Sequence, residues 1–131
     1  MLKFILPCIT FLFASVLTFA QQTDCALAHH TGKYYYLSDN DTILIERTKH
    51  TQIESLNKGQ SKLILKVTWI NNEEFLLTFQ KFINIDEKIS CMKKGEVIRV
   101  KINQCYPDRY TSSYTTENCG KGFSTFYKLP D

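Results

Sequence analysis

The sequence predicts a single all-β domain, and three observations support this prediction. Apolar and polar residues alternate in several short segments, turn-forming residues separate these segments at close spacing, and residues 21–131 lack the period of an amphipathic helix of ordinary length. A chain of about 110 residues also falls within the usual size of one domain. We therefore expect one antiparallel β domain over residues 21–131.

The clearest segment is residues 61–82, which contains the single Trp of the chain. Its apolar residues recur at every second position on both sides of a polar turn at residues 71–73, and they are Leu63, Leu65, Val67, Trp69, Phe75, Leu77 and Phe79. This pattern predicts a β-hairpin with one apolar face. A hairpin alone is barely stable in water, so the other segments are expected to cover or extend that face.

Six more segments have the composition of strands, namely residues 33–37, 42–47, 50–56, 97–106, 109–116 and 123–129. Residues 97–106 alternate most clearly, since Ile98, Val100 and Ile102 share one face and polar residues share the other. In residues 50–56 the apolar positions are Ile53 and Leu56. This segment is therefore expected to be a more polar strand.

The turns between these segments are short, so the simplest topology is an up-and-down meander of about eight strands. A sheet of this size removes its exposed edges by closing on itself. We expect a closed or partly open barrel of lipocalin-like appearance. The alternative is a two-sheet β-sandwich.

Residues 1–20 have the features of a signal peptide. Lys3 provides the positive start, residues 4–17 are almost wholly apolar, and Thr18 and Ala20 are small residues at the positions that precede a cleavage site. The apolar run is shorter than the roughly 20 residues of a membrane-spanning helix. The sequence thus predicts an exported protein, periplasmic or extracellular, without a membrane span after the signal is removed.

Four cysteines follow the predicted signal peptide, namely Cys25, Cys91, Cys105 and Cys119. An even number of cysteines in a small exported domain indicates disulfides, because the compartment is oxidising and a small core gains from cross-links. Four cysteines allow three pairings, and their spacing does not choose among them. The absence of a CxxC pair argues against a redox dithiol or a zinc knuckle.

The charge distribution and the polar motifs favour a protein without catalysis or cofactors. Basic and acidic residues number 16 and 13 and are intermixed, which argues against nucleic acid as a partner. His29, His30 and His50 are the one constellation that suggests a metal, but adjacent residues of a strand point to opposite sides, so a solvated polar lead-in is expected. Carboxylates such as Glu54 are expected on turns or outward faces. Ser112 and Ser113 lack the GxSxG pattern of a nucleophile elbow.

Aromatic residues are the feature that most suggests binding. They are frequent in the predicted strands, and alternation places some of them inside; the candidates for ligand contact are Tyr34, Tyr36, Trp69, Phe79 and Tyr114. Such residues suit either an interior pocket for a small apolar or amphipathic ligand or an exposed aromatic surface for sugar or protein contact. The competing interpretation is that bulky rings simply fill the interior of a small barrel.

Part of the chain resembles a group of small exported proteins of Bacteroidota-type bacteria that have no established function. The resemblance is carried by GKYY at residues 32–35, IER at 45–47, QIE at 52–54, KVTW at 66–69 and EFLLTF at 74–79. It implies an extracytoplasmic β domain and no catalytic residues. The turn at residues 71–74 lacks a cysteine found in several relatives, and Cys105 and Cys119 depart from the group, so no disulfide pairing follows from it.

Together these observations predict a secreted or periplasmic binding module that is not an enzyme and that holds a small apolar or amphipathic ligand in a β-barrel. One alternative is an interaction or inhibitor module that docks on a protein of the cell envelope. A hydrolytic enzyme is the third and least favoured interpretation. It would require at least two polar titratable groups that converge in a cleft.

Overall fold

The computed structural model describes residues 24–88 and 90–131, so the predicted signal peptide lies outside the described residues. Eight antiparallel strands follow one another in chain order, and each pairs with the next. They are β1 (Gly32–Ser38), β2 (Asp41–Arg47), β3 (Thr51–Leu56), β4 (Ser61–Trp69), β5 (Glu74–Ile83), β6 (Val97–Tyr106), β7 (Arg109–Thr115) and β8 (Lys121–Lys128). β8 pairs back with β1 and closes the barrel. The prediction of an up-and-down barrel is confirmed, and the two-sheet sandwich is excluded.

The barrel has two different ends. One end carries the β2–β3, β4–β5 and β6–β7 turns, and the other carries the β1–β2, β3–β4 and β7–β8 turns together with the long connection at residues 84–96. A short helix at residues 24–28 lies at the first end, where Ala26 is fully buried in the barrel core. We call this the capped end and the other the mouth.

The strand periodicity places the apolar residues inside as expected. In the middle of β4, β5 and β6 the buried residues recur at every second position, and they include Leu65, Val67, Phe75, Leu77, Val100 and Ile102. These side chains meet across the barrel because closing the sheet turns one face of every strand inward. Burial of this apolar area is the main favourable term in the folding of such a domain.

Two disulfides hold the ends of the barrel. Cys25 pairs with Cys105 and ties the short helix to β6 at the capped end. Cys91 pairs with Cys119 and ties the long connection to the β7–β8 turn at the mouth. The prediction of disulfides is confirmed, and the structure selects one of the three possible pairings.

The seam between β1 and β8 is the shortest junction of the barrel. It consists of the pairs Tyr34–Lys128 and Tyr35–Tyr127, both toward the capped end. β4 and β5, by contrast, pair over nearly their whole length, with one irregularity between Ile64 and Leu65. The seam strands are therefore not paired with each other toward the mouth.

Two expectations about polar residues are wrong. Glu54 lies inside the barrel, because the tight β2–β3 turn pairs Arg47 with Gln52 and so directs Gln52 and Glu54 inward while Ile53 faces out. His29 is buried at the capped end rather than solvated. Among residues 24–88 and 90–131, none of the helices has the length and hydropathy of a bilayer-spanning segment.

Candidate ligand-binding cavity

The barrel contains a cavity of about 560 Å³ that is open at the mouth and is bordered at its deep end by Arg47 and Phe75. Small-molecule sites commonly measure about 300–1,000 Å³, so this volume suits one small ligand. Met92 and the Cys91–Cys119 disulfide border the cavity where it opens at the mouth.

One wall of the cavity is apolar. Phe75 and Leu77 on β5, Ile98 and Val100 on β6, and Phe126 on β8 contribute to it. These residues occupy alternate positions of their strands, which is why the predicted core face of the sheet also supplies the wall. A wall of this composition favours contact with hydrocarbon or aromatic groups.

The opposite side is polar and is built from β2 and β3. The Arg47 Nε–H donates a hydrogen bond to Gln52 Oε1 at 2.7 Å, and Gln52 Nε2–H donates one to Glu54 Oε1 at 2.8 Å. All three residues line the cavity. The amide of Gln52 thus links a buried guanidinium to a carboxyl group without direct contact between them.

Arg47 lies deepest in this polar side and is 3% exposed. Besides the bond to Gln52, Nη1 donates to the His29 carbonyl at 3.1 Å and Nη2 donates to the Tyr110 hydroxyl at 2.7 Å. The guanidinium carbon also lies 4.7 Å from the centre of the Phe75 ring, within the range of a cation–π contact. Arg47 is therefore held in one orientation before any ligand enters.

Glu54 lies closer to the mouth than Arg47 and is half-buried. Burial raises the pKa of its carboxyl group, and the hydrogen bonds from Gln52 and Tyr36 oppose this rise. The Tyr36 hydroxyl group donates a hydrogen bond to Glu54 Oε2 at 3.2 Å. The positive charge of Arg47 also opposes the rise in the pKa of Glu54, and the net direction is upward because desolvation is the largest cause.

Hydroxyl groups on β7 and β8 add to the polar lining. Ser112, Tyr114 and Ser124 border the cavity. None of these three hydroxyl groups has a hydrogen-bond partner in the part of the chain that the structure describes. They are thus available to a polar group of a bound molecule.

A buried cluster lies beneath the cavity at the capped end. His29 Nε2 is 2.7 Å from the Tyr106 carbonyl, and since a carbonyl oxygen accepts only, this nitrogen carries a hydrogen. His29 Nδ1 is 3.2 Å from the Tyr34 hydroxyl, and the Tyr34 and Tyr110 rings meet edge to face. Burial lowers the pKa of His29, so the neutral imidazole is favoured. This cluster makes the capped end solid rather than hollow.

The five aromatic candidates from the sequence separate into different places. Tyr36 and Tyr114 line the cavity. Tyr34 belongs to the buried cluster beneath it, and Phe79 is buried against Phe82. Trp69 stacks on the His30 imidazole at the capped end, with ring centres 3.4 Å apart.

Sequence reasoning missed Arg47, Gln52 and Glu54 as cavity residues. A signal for Arg47 is present, since Arg47 continues the two-residue period of Ile43 and Ile45. Once Arg47 is inside, a tight turn that pairs it with Gln52 also directs Glu54 inward. The deciding fact is the register of that turn.

One group of possible metal ligands occurs among the described residues. The potential ligand atoms of Cys25, His29 and Cys105 lie within 4.8 Å of one another. The two sulfur atoms form a disulfide, whereas a metal requires free thiolates. Both His29 nitrogens also have protein partners. This cluster is accordingly a structural junction in the oxidised protein.

A second depression, of about 610 Å³, lies on the outer surface between the β1–β2 and β3–β4 turns. It is lined by turn residues, among them Asp39, Asn40 and Lys58. The depression is wide open to solvent and lacks the apolar wall of the barrel cavity. The barrel cavity is therefore the candidate site.

No family model matches this chain, and neither a curated protein nor a solved structure is significantly similar to it. The chemistry of the cavity walls is therefore the basis for a functional assignment.

Proposed function

We propose that this protein is an exported binding module that holds one small amphipathic molecule in the mouth half of its barrel. The observation that carries the proposal is the cavity of about 560 Å³, with an apolar wall facing a polar one. A ligand with an apolar body and a polar end matches both walls. The rigid strands that bear these residues hold the site in place before binding.

The proposed location outside the cytoplasm rests on the cysteines and on the N-terminal sequence. Two disulfides link four cysteines, and such bonds persist in oxidising compartments. The pattern of residues 1–20 is that of a secretory signal. A periplasmic or extracellular protein of this kind would meet its ligand outside the cytoplasmic membrane.

Binding of the neutral fluorescent dye N-phenyl-1-naphthylamine to the purified, disulfide-bonded protein tests the proposal. The dye should fluoresce on entering the cavity. Val100→Phe places an aromatic ring in the cavity wall and should abolish the signal. Lys101→Phe, at the next and outward-facing position, should not. Absence of a signal with the unchanged protein, or equal signals from both variants, would reject the cavity as a ligand site.

A second function is favoured by the apolar residues at the rim. Leu37 and Phe123 border the mouth and are 69% and 84% exposed, and both lie where β1 and β8 are not paired with each other. Exposed apolar residues of this kind suit contact with another protein of the envelope. Leu37→Ser with Phe123→Ser should abolish any partner contact detected by cross-linking in the exporting cell while the protein stays folded.

A further inference from the structure

Arg47 carries a buried positive charge that its protein partners do not neutralise. None of the ion pairs found among the described residues includes it. Its three protein hydrogen bonds go to an amide, a carbonyl and a phenol, all of which are uncharged acceptors. A buried charge without an ionic partner is costly, so the site is more stable when an anion is added.

Arg47 also has donors to spare. A guanidinium group has five N–H bonds, and hydrogen bonds to the described residues use three of them. Because Arg47 lines the cavity, the remaining donors are within reach of a molecule inside it. Arginine recognises a carboxylate well, since its planar group matches two oxygens at once.

We propose that the ligand of the cavity is a carboxylate amphiphile, whose single negative charge lies against Arg47 and whose apolar chain follows the β5–β6 wall toward the mouth. This proposal rests on the cavity being a ligand site at all. Among the described residues that border the cavity, Arg47 is the one basic residue. A single cation matches one negative charge and not two, which favours a carboxylate over a phosphate monoester.

The hydroxyl groups of Ser112 and Tyr114 support the same orientation. They lie on β7, with Ser112 nearer to the capped end and Tyr114 nearer to the mouth. Both are available as donors to ligand oxygens, as described above. The apolar residues Leu77 on β5 and Ile98 on β6 lie toward the mouth, where the chain of the ligand would pass.

Glu54 makes the binding depend on pH. The titratable and charged groups that face it are Tyr36 on β1, Arg47 on β2 and Tyr110 on β7. A carboxylate ligand is repelled by an ionised Glu54. A protonated Glu54 is neutral, so it neither repels the ligand nor competes with it for the positive charge of Arg47. Burial raises the pKa of the Glu54 carboxyl group. Affinity for the carboxylate should therefore rise as the pH falls through the pKa of Glu54.

Competition for the bound dye by probes with the same chain and different heads tests the proposal. The probes are dodecanoate, dodecan-1-ol, dodecylamine and dodecyl phosphate. Dodecanoate should bind at least about tenfold more tightly than the alcohol, which is the ratio given by one charge-assisted hydrogen bond. Comparing two probes on the same protein sample cancels differences in the folded fraction between variants.

Arg47→Met should reduce the preference for dodecanoate over dodecanol to about one. Arg99→Met is the matched control, because Arg99 is an arginine on the outer face of β6 that pairs with Glu74. It should retain the full preference. Glu54→Gln gives an independent test should Arg47→Met fail to fold: it should raise the affinity for dodecanoate at pH values above the pKa of Glu54 and remove the pH dependence.

The outcomes separate the two proposals. If dye binds and the alcohol or the amine competes as well as dodecanoate, the cavity proposal stands and the carboxylate proposal is overturned. Tighter binding of dodecyl phosphate overturns the assignment of a single charge. A preference that survives in Arg47→Met, or a loss of dodecanoate affinity in Glu54→Gln, overturns the assigned roles. If the dye itself does not bind, the proposed function fails first.

Discussion

The Cys25–Cys105 disulfide should contribute more to stability than the Cys91–Cys119 disulfide. A disulfide restricts the unfolded chain, and the restriction grows with the length of the loop it closes. The loop-closure relation gives about 4.5 kcal/mol at room temperature for the sequence separation of 80 residues between Cys25 and Cys105. For the separation of 28 residues between Cys91 and Cys119 it gives about 3.6 kcal/mol.

The perturbation is the double variant Cys25→Ala with Cys105→Ala, compared with Cys91→Ala with Cys119→Ala. In the first variant the short helix stays joined to β1, and His29 retains its bond to the Tyr106 carbonyl. The folded state should therefore change little, and the loss should arise in the unfolded state. Typical domains have about 5–15 kcal/mol of stability in total, so either loss is a large fraction.

Equilibrium unfolding in urea, with the other disulfide kept oxidised, measures the two losses. The expected order is a larger loss for Cys25→Ala with Cys105→Ala, accompanied by unchanged dye binding in the folded protein. A loss below about 1 kcal/mol would refute the loop-closure reasoning. Abolished dye binding in a protein that is still folded would instead show that the disulfide positions the capped end.

Three further predictions concern single residues. Burial raises the folded-state pKa of Glu54, so its contribution to stability is full below about pH 4.5 and is lost as the pH rises through the folded-state pKa. Glu54→Gln should remove this loss in urea titrations. His29 has a lowered pKa, so stability should fall as the pH drops below about 6.5, and His29→Gln should flatten that fall. Gly122→Ala places a Cβ atom 2.6 Å from the Tyr114 hydroxyl oxygen. The displaced ring should cost about 1–3 kcal/mol and weaken dye binding, whereas unchanged values would contradict the close packing.

Strand periodicity was sufficient to predict most of the barrel. The predicted strand at residues 97–106 coincides with β6, and Ile98, Val100 and Ile102 point inward as expected. The prediction succeeds because a strand directs successive side chains to opposite faces. When every second residue is apolar, only one orientation of the strand buries all of those residues. The capping of one end by the short helix was not predicted, because five helical residues have no period long enough to detect.

The sequence alone determined the class of fold, the number of strands, the inward faces of the strongly alternating strands and the presence of cross-linking cysteines. The tertiary structure decided which cysteines pair, since pairing depends on which loops meet at each end of the barrel. It also decided that Arg47 and Glu54 face a cavity. The register of the β2–β3 turn directs the polar side chains of β3 into the barrel and its apolar Ile53 outward. Whether rings fill a barrel or leave space depends on how side chains from different strands meet, and that information is not contained in any one strand.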